Sequence, residues 1–189
     1  MLKYVSMIAL VWAVGSLSAA EPINLVPNGS FEEEMRFWSF EEYKGLSAPG
    51  RIDEIKPKDG KKFFVFTTPG NMNSRFIRTV DIKIDPAHDY TAKFSLAGED
   101  MTDQAVKVYL LQSAVDPDGK RKVLGWLKIG QQNELTGGEI SGTFDWRDFT
   151  VKIPSSAFHP DCRAVSFYFI NAKPATGELA IDAVGLFKE

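Results

Sequence analysis

Alternation of apolar and polar residues at every second position is the feature that most constrains this 189-residue chain. It is clearest in RFIRTVDIKI (75–84), YTAKFSL (90–96), FTVKI (149–153) and VSFYFI (165–170). A period of two places successive side chains on opposite faces of an extended strand, so each segment is predicted to be a strand with one buried face. In the first segment the predicted buried face carries Phe76, Val80, Ile82 and Ile84.

Turn-forming pairs separate these segments. They are Pro69-Gly70, Asp85-Pro86, Gly137-Gly138 and His159-Pro160. Glycine and proline favour turns because they supply or fix backbone angles that interrupt a strand. The sequence shows no amphipathic helical pattern, no repeat and no low-complexity linker. Many short strands separated by turns predict an all-β fold, a sandwich or jelly roll.

The first twenty residues have the pattern of a secretory signal peptide. Lys3 precedes an apolar run, and small residues lead up to Ala20. We expect cleavage after Ala20, which leaves residues 21–189 as one domain of ordinary length. The apolar run of the leader is too short for a membrane span, which needs roughly 20 apolar residues, and no later stretch comes near that length. The expected location is therefore outside the cytoplasm, either extracellular or periplasmic.

Charge and cysteine content exclude several classes of protein. The formal net charge is −3, and acidic and basic residues are interspersed without a basic stripe, so nucleic acid is not an expected partner. Cys162 is the single cysteine, so no internal disulfide is expected in the exported chain. Its stability must come from the hydrophobic core or from something bound.

Several motifs occur in the order found in one family. They are NLVPNGSFEE (24–33), KDGKKFFVFT (58–67), IDPAHDYTAKFSLAG (84–98), GTFDWRDFTVKIP (142–154) and GELAIDAVGLF (177–187). Together they resemble the carbohydrate-binding modules of the cellulose- and xylan-binding jelly-roll type, within the galactose-binding-like β-sandwiches. The resemblance covers nearly all of residues 21–189 and implies a jelly-roll β-sandwich that binds a polysaccharide or oligosaccharide.

The resemblance also implies a structural calcium ion. Its ligands would be the carboxylates of Glu32 and Asp182, with backbone carbonyl groups near Ser30 and Lys61. Carboxylates mixed with carbonyl oxygens are an ordinary calcium shell. One departure is Ala183, where many members of the family have a second acid. The alternative interpretation of the glutamate run is a solvated, charged turn.

Five residues are candidates for glycan contact. Strand parity places Tyr109 and Tyr168 on the faces opposite the predicted core, and Trp126 lies beside a glycine-rich, polar segment. Aromatic rings suit the apolar faces of sugars, while Gln131 and Asn133 could bond hydroxyl groups. Trp38 and Trp146 are expected to be packing residues.

Catalysis is not expected from these motifs. The two histidines, His88 and His159, lie in turn sequences, and no metal-binding or nucleophile signature is present. The sequence therefore predicts a secreted, non-catalytic carbohydrate-binding protein. Two alternatives stay open: a cell-envelope protein that binds another protein through the same sandwich, and a small glycan-active hydrolase or lyase.

Overall fold

The computed structural model describes seven stretches of the chain. These are residues 22–40, 50–66, 75–101, 106–116, 118–131, 142–171 and 177–189, without the side chains of Arg75 and Gln131. The predicted signal peptide, residues 1–20, lies outside the described residues, and so does Asn133.

Eleven strands account for most of the described residues. They are β1 (Trp38–Ser39), β2 (Gly50–Asp53), β3 (Phe63–Phe66), β4 (Arg75–Thr79), β5 (Ile82–Lys83), β6 (Tyr90–Met101), β7 (Val106–Val115), β8 (Arg121–Gln131), β9 (Gly142–Ile153), β10 (Ala164–Asn171) and β11 (Glu178–Lys188). A single 3₁₀ turn covers Ser155–Ala157. In the described part of the chain, no helix is long and apolar enough to cross a membrane.

Two antiparallel sheets are formed. Sheet A has the order β1-β4-β10-β7-β8, with β5 also paired to β10. Sheet B has the order β2-β3-β11-β6-β9. Neighbouring strands are therefore mostly distant in sequence, as expected of a jelly roll and not of a simple meander. The predicted all-β sandwich is confirmed.

The hydrophobic core lies between the two sheets. Phe94 of β6 meets Phe169 of β10 edge-to-face, with ring centroids 5.5 Å apart, and both side chains are buried. Near the start of the chain, Phe31 stacks on Trp38 at 4.7 Å and is fully buried. Burial of large aromatic side chains is the main stabilising term available to a domain without an expected disulfide.

The predicted faces of the first alternating segment are wrong in part. Strand β4 ends at Thr79, and Ile77 and Thr79 are its fully buried residues, whereas Val80 is exposed and Phe76 lies on the opposite face. The reason is a buried hydrogen bond, in which the backbone N–H of Phe167 donates to Thr79 Oγ1 at 3.0 Å. A satisfied hydroxyl can occupy a core position that a hydrophobicity pattern assigns to an apolar residue.

Candidate functional site

The outer face of sheet A carries an organised set of side chains. In β7 the core positions are Val106, Val108 and Leu110, and in β10 they are Val165, Phe167 and Phe169, as predicted. The alternate residues of these strands therefore point away from sheet B. Strand pairing arranges them in cross-strand rows.

The central row runs across four strands. Tyr168 of β10 pairs with Arg78 of β4 on one side and with Tyr109 of β7 on the other, and Tyr109 pairs with Lys128 of β8. An adjacent row contains Phe76, Ile170, Lys107 and Gln131, and the row on the other side contains Ser166, Leu111 and Trp126. Directly paired residues on one face of a sheet are in contact range, so these rows form one continuous surface.

Three of the predicted binding residues form an aromatic patch on this surface. Trp126 lies edge-to-face with Tyr168, with ring centroids 4.8 Å apart, and with Tyr109 at 6.0 Å. Trp126 is 53% exposed, Tyr109 is partly buried, and Tyr168 is only 6% exposed. We refer to Tyr109, Trp126 and Tyr168 as the aromatic patch. Trp126 presents the accessible ring, while Tyr168 forms the floor beneath it.

The structure defines the setting of Trp126, which the sequence placed only beside a glycine-rich, polar segment. Trp126 belongs to strand β8, which pairs with β7 along its length. The register shifts at Gln112/Ser113 and Val108/Tyr109, and such β-bulges interrupt the period-two pattern. Gln131 is the last residue of β8 and pairs with Lys107. Asn133 lies outside the described residues.

Sequence reasoning missed two residues of this surface. Phe76 contacts Tyr168 at 5.6 Å between ring centroids, and the guanidinium of Arg78 lies 5.9 Å from the centre of the Tyr168 ring. Both were hidden by the wrong face assignment of β4. The signal available in the sequence was Ile77, an apolar residue whose parity places Phe76 and Arg78 on the opposite face.

A polar cluster closes one end of the surface. Ser166 Oγ donates to Asp81 Oδ1 at 2.7 Å, and Arg121 Nη2 lies 2.8 Å from the same oxygen. Ser166 is fully buried beneath these partners. Since the carboxylate of Asp81 is already held by a hydroxyl and a guanidinium, the cluster acts as a fixed border to the aromatic patch.

Two further tryptophans, Trp38 and Trp146, are packing residues, as predicted. Trp38 is 6% exposed, and its indole N–H donates to the carbonyl of Asn28 at 2.9 Å. Trp146 lies against Phe63 at 5.4 Å between centroids, and its indole N–H donates to the carbonyl of Lys56 at 2.8 Å. Both rings thus fasten loops to the sandwich.

The predicted calcium ligands meet the same turn of the chain. Asp182 Oδ2 accepts the backbone N–H groups of Lys58 and Asp59 at 2.9 and 2.8 Å, and its Oδ1 accepts that of Ala183 at 2.7 Å. Glu32 Oε1 accepts the backbone N–H groups of Lys61 and Lys62 at 2.6 and 2.8 Å. We call Glu32, Asp182 and residues 58–62 the carboxylate clip.

The donor set of the carboxylate clip does not fit a calcium ion as it stands. Calcium requires six to eight oxygen ligands, and the groups that face these carboxylate oxygens are N–H donors. Among the described residues, no three or more His, Cys, Asp or Glu side chains are grouped to hold a metal ion. Calcium binding by Glu32 and Asp182, with the carbonyls of Ser30 and Lys61, stays a prediction from the sequence.

The two clip carboxylates have opposite electrostatic settings. Hydrogen bonds from the backbone of Lys61 and Lys62 lower the pKa of the exposed Glu32. Burial raises the pKa of Asp182 to about 6, although three backbone N–H groups favour its charged form. Desolvation outweighs hydrogen bonding at Asp182 because its side chain is fully removed from solvent.

Sheet B has a separate groove on its own outer face, of about 390 Å³. Ala97, Gly98 and Ala180 line its floor. Glu99 and Glu178 pair across β6 and β11, and Arg51 holds Glu178 through two hydrogen bonds of 2.8 and 2.9 Å. Arg51 also contacts Asp53 at 3.2 Å. Arg51, Glu178 and Asp53 are therefore engaged with one another. These ion pairs hold the polar side chains at the side of the groove in place.

The residues considered for catalysis are not assembled into a reactive site. His88 and His159 lie at the surface beside Asp85 and Asp161, at 3.3 and 3.8 Å. Cys162 is fully buried, and its thiol donates to the carbonyl of Ala164 at 3.3 Å. Burial raises the pKa of this thiol, which disfavours the thiolate that a nucleophile requires.

Solved structures match this fold, while no protein-family model and no curated protein matches the sequence. One match is the xylan-binding domain CBM22-1 of Paenibacillus barcinonensis Xyn10C, with a TM-score of 0.56 and 11% identity over 90% of this chain and 97% of that domain. Another is a cyclase from Fischerella sp. TAU, with a TM-score of 0.61 and 15% identity over 87% and 95% of the two chains.

A third match is the enzymatically active domain of bacteriophage CBA120 tailspike protein 4, with a TM-score of 0.65 and 15% identity over 88% of this chain. The present chain spans only 22% of that tailspike chain, whereas it spans nearly the whole length of carbohydrate-binding modules of families 16 and 4. At these identities the likeness concerns the fold. The chain has the jelly-roll β-sandwich fold of these carbohydrate-binding modules.

Proposed function

We propose that this chain is an exported, non-catalytic carbohydrate-binding protein and that its glycan-binding surface is the outer face of sheet A. The observation that carries the proposal is the aromatic patch, in which Trp126 is half exposed on a rigid strand while it packs against Tyr168. Exposed large aromatic side chains at a fixed orientation are typical of binding surfaces.

The mechanism is stacking assisted by hydrogen bonding. A sugar ring has an apolar C–H face, which Trp126 can cover, and the surrounding polar side chains can bond its hydroxyl groups. Because Tyr109 and Tyr168 contact the edges of the indole, the ring loses little conformational freedom when a ligand binds. Single sites of this size bind weakly, with free energies of about −4 to −8 kcal/mol.

Export is the part of the proposal that rests on the sequence, through the leader pattern of residues 1–20. The structural calcium implied by the family resemblance is not part of the proposal, because N–H groups already face the carboxylate oxygens of Glu32 and Asp182. Glycan binding is proposed to be independent of calcium, since Asp182 lies on β11 of sheet B and not on sheet A.

Affinity electrophoresis tests the proposal. Residues 21–189 are run through gels that contain β-glucan, xylan, mannan or galactan, together with Trp126→Ala and the control Ile55→Ala. Ile55 is 75% exposed and lines the groove on sheet B, so its replacement removes apolar surface from the other face. We expect at least one glycan to retard the migration of the wild type and of Ile55→Ala. The same glycan should retard Trp126→Ala much less.

Three other results would contradict the proposal. Loss of retardation in Ile55→Ala alone would place the glycan in the groove of sheet B. Cleavage of a glycan would support the glycan-active enzyme, for which Glu99 and Glu178 in that groove are the first residues to change. Failure of β-glucan, xylan, mannan and galactan alike to retard the wild type would leave the cell-envelope interaction as the better explanation.

A further inference from the structure

We infer that two copies of this chain form a symmetric dimer, in which the edges of their β9 strands pair antiparallel and join the two B sheets into one. The inference rests on the position of β9 at the edge of its sheet and on the order of its residues. It does not depend on glycan binding and therefore goes beyond the proposed function.

Strand β9 lies at an edge of sheet B. In the described part of the chain it pairs with β6 alone, and no hydrogen bond outside this ladder involves the backbone of residues 147–153. The backbone groups of successive residues point to opposite sides of a strand, so about half of the N–H and C=O groups of this stretch face away from β6. A row of such groups is a template for a further strand.

The edge of β9 is accessible to a second strand. A groove of about 430 Å³ lies beside it, lined by residues 128–130 of β8 and residues 148–151 of β9. Strand β8 is an edge of sheet A, so the groove shows that sheet A does not close over β9 at these residues. The side chains of Asp148, Thr150 and Lys152 are exposed.

The second half of β9 has the regularity that strand pairing requires. Residues 147–153 pair with residues 90–96 of β6 without interruption, whereas both register shifts between these strands lie in the first half of β9. Phe149 and Val151 contact the core. Because side chains alternate in a regular strand, residues 148, 150 and 152 lie on the outer face of sheet B.

The sequence of this half is self-complementary. A two-fold axis at Thr150 places Asp148 of each copy opposite Lys152 of the other, and Phe149 opposite Val151. Opposite charges, paired threonines and an aromatic ring beside a β-branched side chain are all favourable cross-strand pairs. With the axis at Phe149 or at Val151, neither copy would pair an acid with a base. The order of residues therefore specifies one register.

The charged pair fixes the register more than it strengthens the dimer. Asp148 already accepts the hydroxyl of Ser95 at 2.6 Å and the ammonium of Lys58 at 2.8 Å, which orient its carboxylate. A carboxylate has about four acceptor sites, so it can also accept Lys152 of the second copy. Within its own chain, Lys152 is attracted to Asp89 without a direct ion pair. Pairing of the backbones supplies most of the affinity.

The edge of sheet A lacks this complementarity. Strand β8 contains Arg121, Lys122 and Lys128 and no acid. Two β8 strands paired antiparallel about Gly125 would place Lys122 opposite Lys128, and like charges directly opposite each other are destabilising. Register shifts also interrupt the pairing of β8 with β7. Of the two long edge strands, β9 is therefore the one suited to pair with itself.

The geometry of the dimer has a consequence for glycan binding. The two-fold axis of an antiparallel strand pair is perpendicular to the sheet, so the outer faces of both A sheets point to the same side of the dimer. Two aromatic patches can then hold one polysaccharide, which raises the apparent affinity for a long chain without any new contact. This consequence, unlike the dimer itself, rests on the proposed function.

Sedimentation velocity in the absence of glycan tests the dimer. Residues 21–189 are measured from about 1 to 500 µM, because a small interface is expected to dissociate in the micromolar range. We expect a monomer–dimer equilibrium, with half of the chains associated at about 10–100 µM. The sedimentation coefficient should rise with concentration to that of a dimer and no further, since pairing of the two β9 edges uses both of them.

Charge exchange tests the register. Asp148→Lys places lysines opposite each other at both ends of the pair, and Lys152→Asp does the same with acids, so each variant alone should dimerise at least about tenfold more weakly. An equal mixture of the two variants should recover the dimer, because every substituted position then meets an opposite charge. The control Lys188→Asp, at an exposed position of β11, should dimerise like the wild type.

Recovery in the mixture also answers the question of folding. Asp148→Lys loses the contacts with Ser95 and Lys58, but a variant that failed to fold could not restore the dimer of its partner variant. A dimer that persists in both single variants would overturn β9 as the interface. Sedimentation as a monomer at every concentration would overturn the dimer.

The outcome for the dimer is separate from the outcome for glycan binding. A monomeric wild type that a polysaccharide retards, with loss of retardation in Trp126→Ala, would overturn the dimer and keep the proposed function. A wild-type dimer that no polysaccharide retards would do the reverse. If the wild type dimerises and is retarded, Lys152→Asp should be retarded less by the same polysaccharide, and equal retardation would overturn the two-site binding of one chain.

Discussion

Asp182 and Lys58 are joined by a hydrogen bond across 124 positions of the chain, from the Lys58 backbone N–H to Asp182 Oδ2 at 2.9 Å. Asp182 lies within β11, the central strand of sheet B, and Lys58 lies in the turn before β3. The same carboxylate also accepts the N–H groups of Asp59 and Ala183. One buried acid therefore fixes a surface turn to the centre of the sheet.

Removal of this acceptor should destabilise the fold. In Asp182→Ala three backbone N–H groups lose their acceptor and the fully buried site of its side chain is emptied, so we expect a loss of about 2–4 kcal/mol in the free energy of unfolding. Urea denaturation at pH 7 measures this loss. Asp118→Asn, at an exposed turn position between β7 and β8, is the control and should change stability by less than about 0.5 kcal/mol.

The same carboxyl group should make stability depend on pH. Its pKa in the folded protein, about 6, lies above the value of about 3.9 for an unfolded chain, so the folded state binds the proton more tightly. The contribution of this group is therefore fully present below about pH 4 and is lost as the pH rises through 6. For this group we expect the free energy of unfolding to fall by about 2 kcal/mol between about pH 4 and pH 6.

Urea unfolding between about pH 4.5 and 7 measures this dependence, since other carboxyl groups have largely ionised over that range. Over this range the free energy of unfolding should fall with rising pH by less in Asp182→Ala than in the wild type. The difference between the two slopes is the contribution of Asp182. An equal slope in the two proteins would show that this carboxyl group is already ionised at pH 4.5.

Calcium should not be required for the carboxylate clip to hold. Because N–H groups already satisfy Asp182 and one oxygen of Glu32, we expect the melting temperatures in EDTA and in excess calcium to agree within about 1 °C. Differential scanning calorimetry provides the comparison. A rise of several degrees with calcium that disappears in Glu32→Gln would instead establish the site implied by the family resemblance.

Much of the fold could be predicted from the sequence, because alternation in β7 and β10 follows burial directly. The prediction failed where a polar residue is buried with a partner, as at Thr79, which misplaced Phe76 and Arg78. Alternation gave no face assignment at Trp126, where β-bulges interrupt the pattern of β8. Both cases depend on the pairing of strands, and a single sequence does not reveal which strands pair.

The candidate site was predictable in kind but not in arrangement. Parity placed Tyr109 and Tyr168 on the outer face, and composition singled out Trp126, yet only the register of β10, β7 and β8 brings the three rings together. The burial of Tyr168 also follows from that register, because Trp126 lies directly against it.

Gly29 lies in close contact with the backbone of β11. The Val184 backbone N–H donates to the carbonyl of Gly29 at 2.9 Å, and a Cβ atom at Gly29 would lie 1.9 Å from the carbonyl oxygen of Val184. No side chain fits at that distance, so Gly29→Ala must push the first described segment away from β11. We expect a loss of about 3 kcal/mol in the free energy of unfolding.

Gly125→Ala is the matched control for this change. Gly125 lies in strand β8, and a Cβ atom there would meet nothing within 4 Å. Since alanine also restricts the unfolded chain more than glycine does, this variant should keep or raise the stability, by up to about 1 kcal/mol. Urea denaturation of the wild type and both variants under the same conditions measures these changes in the free energy of unfolding. Equal stability of Gly29→Ala and the wild type would mean that the backbones of Gly29 and Val184 can move apart without loss, so that their close contact does not stabilise the fold.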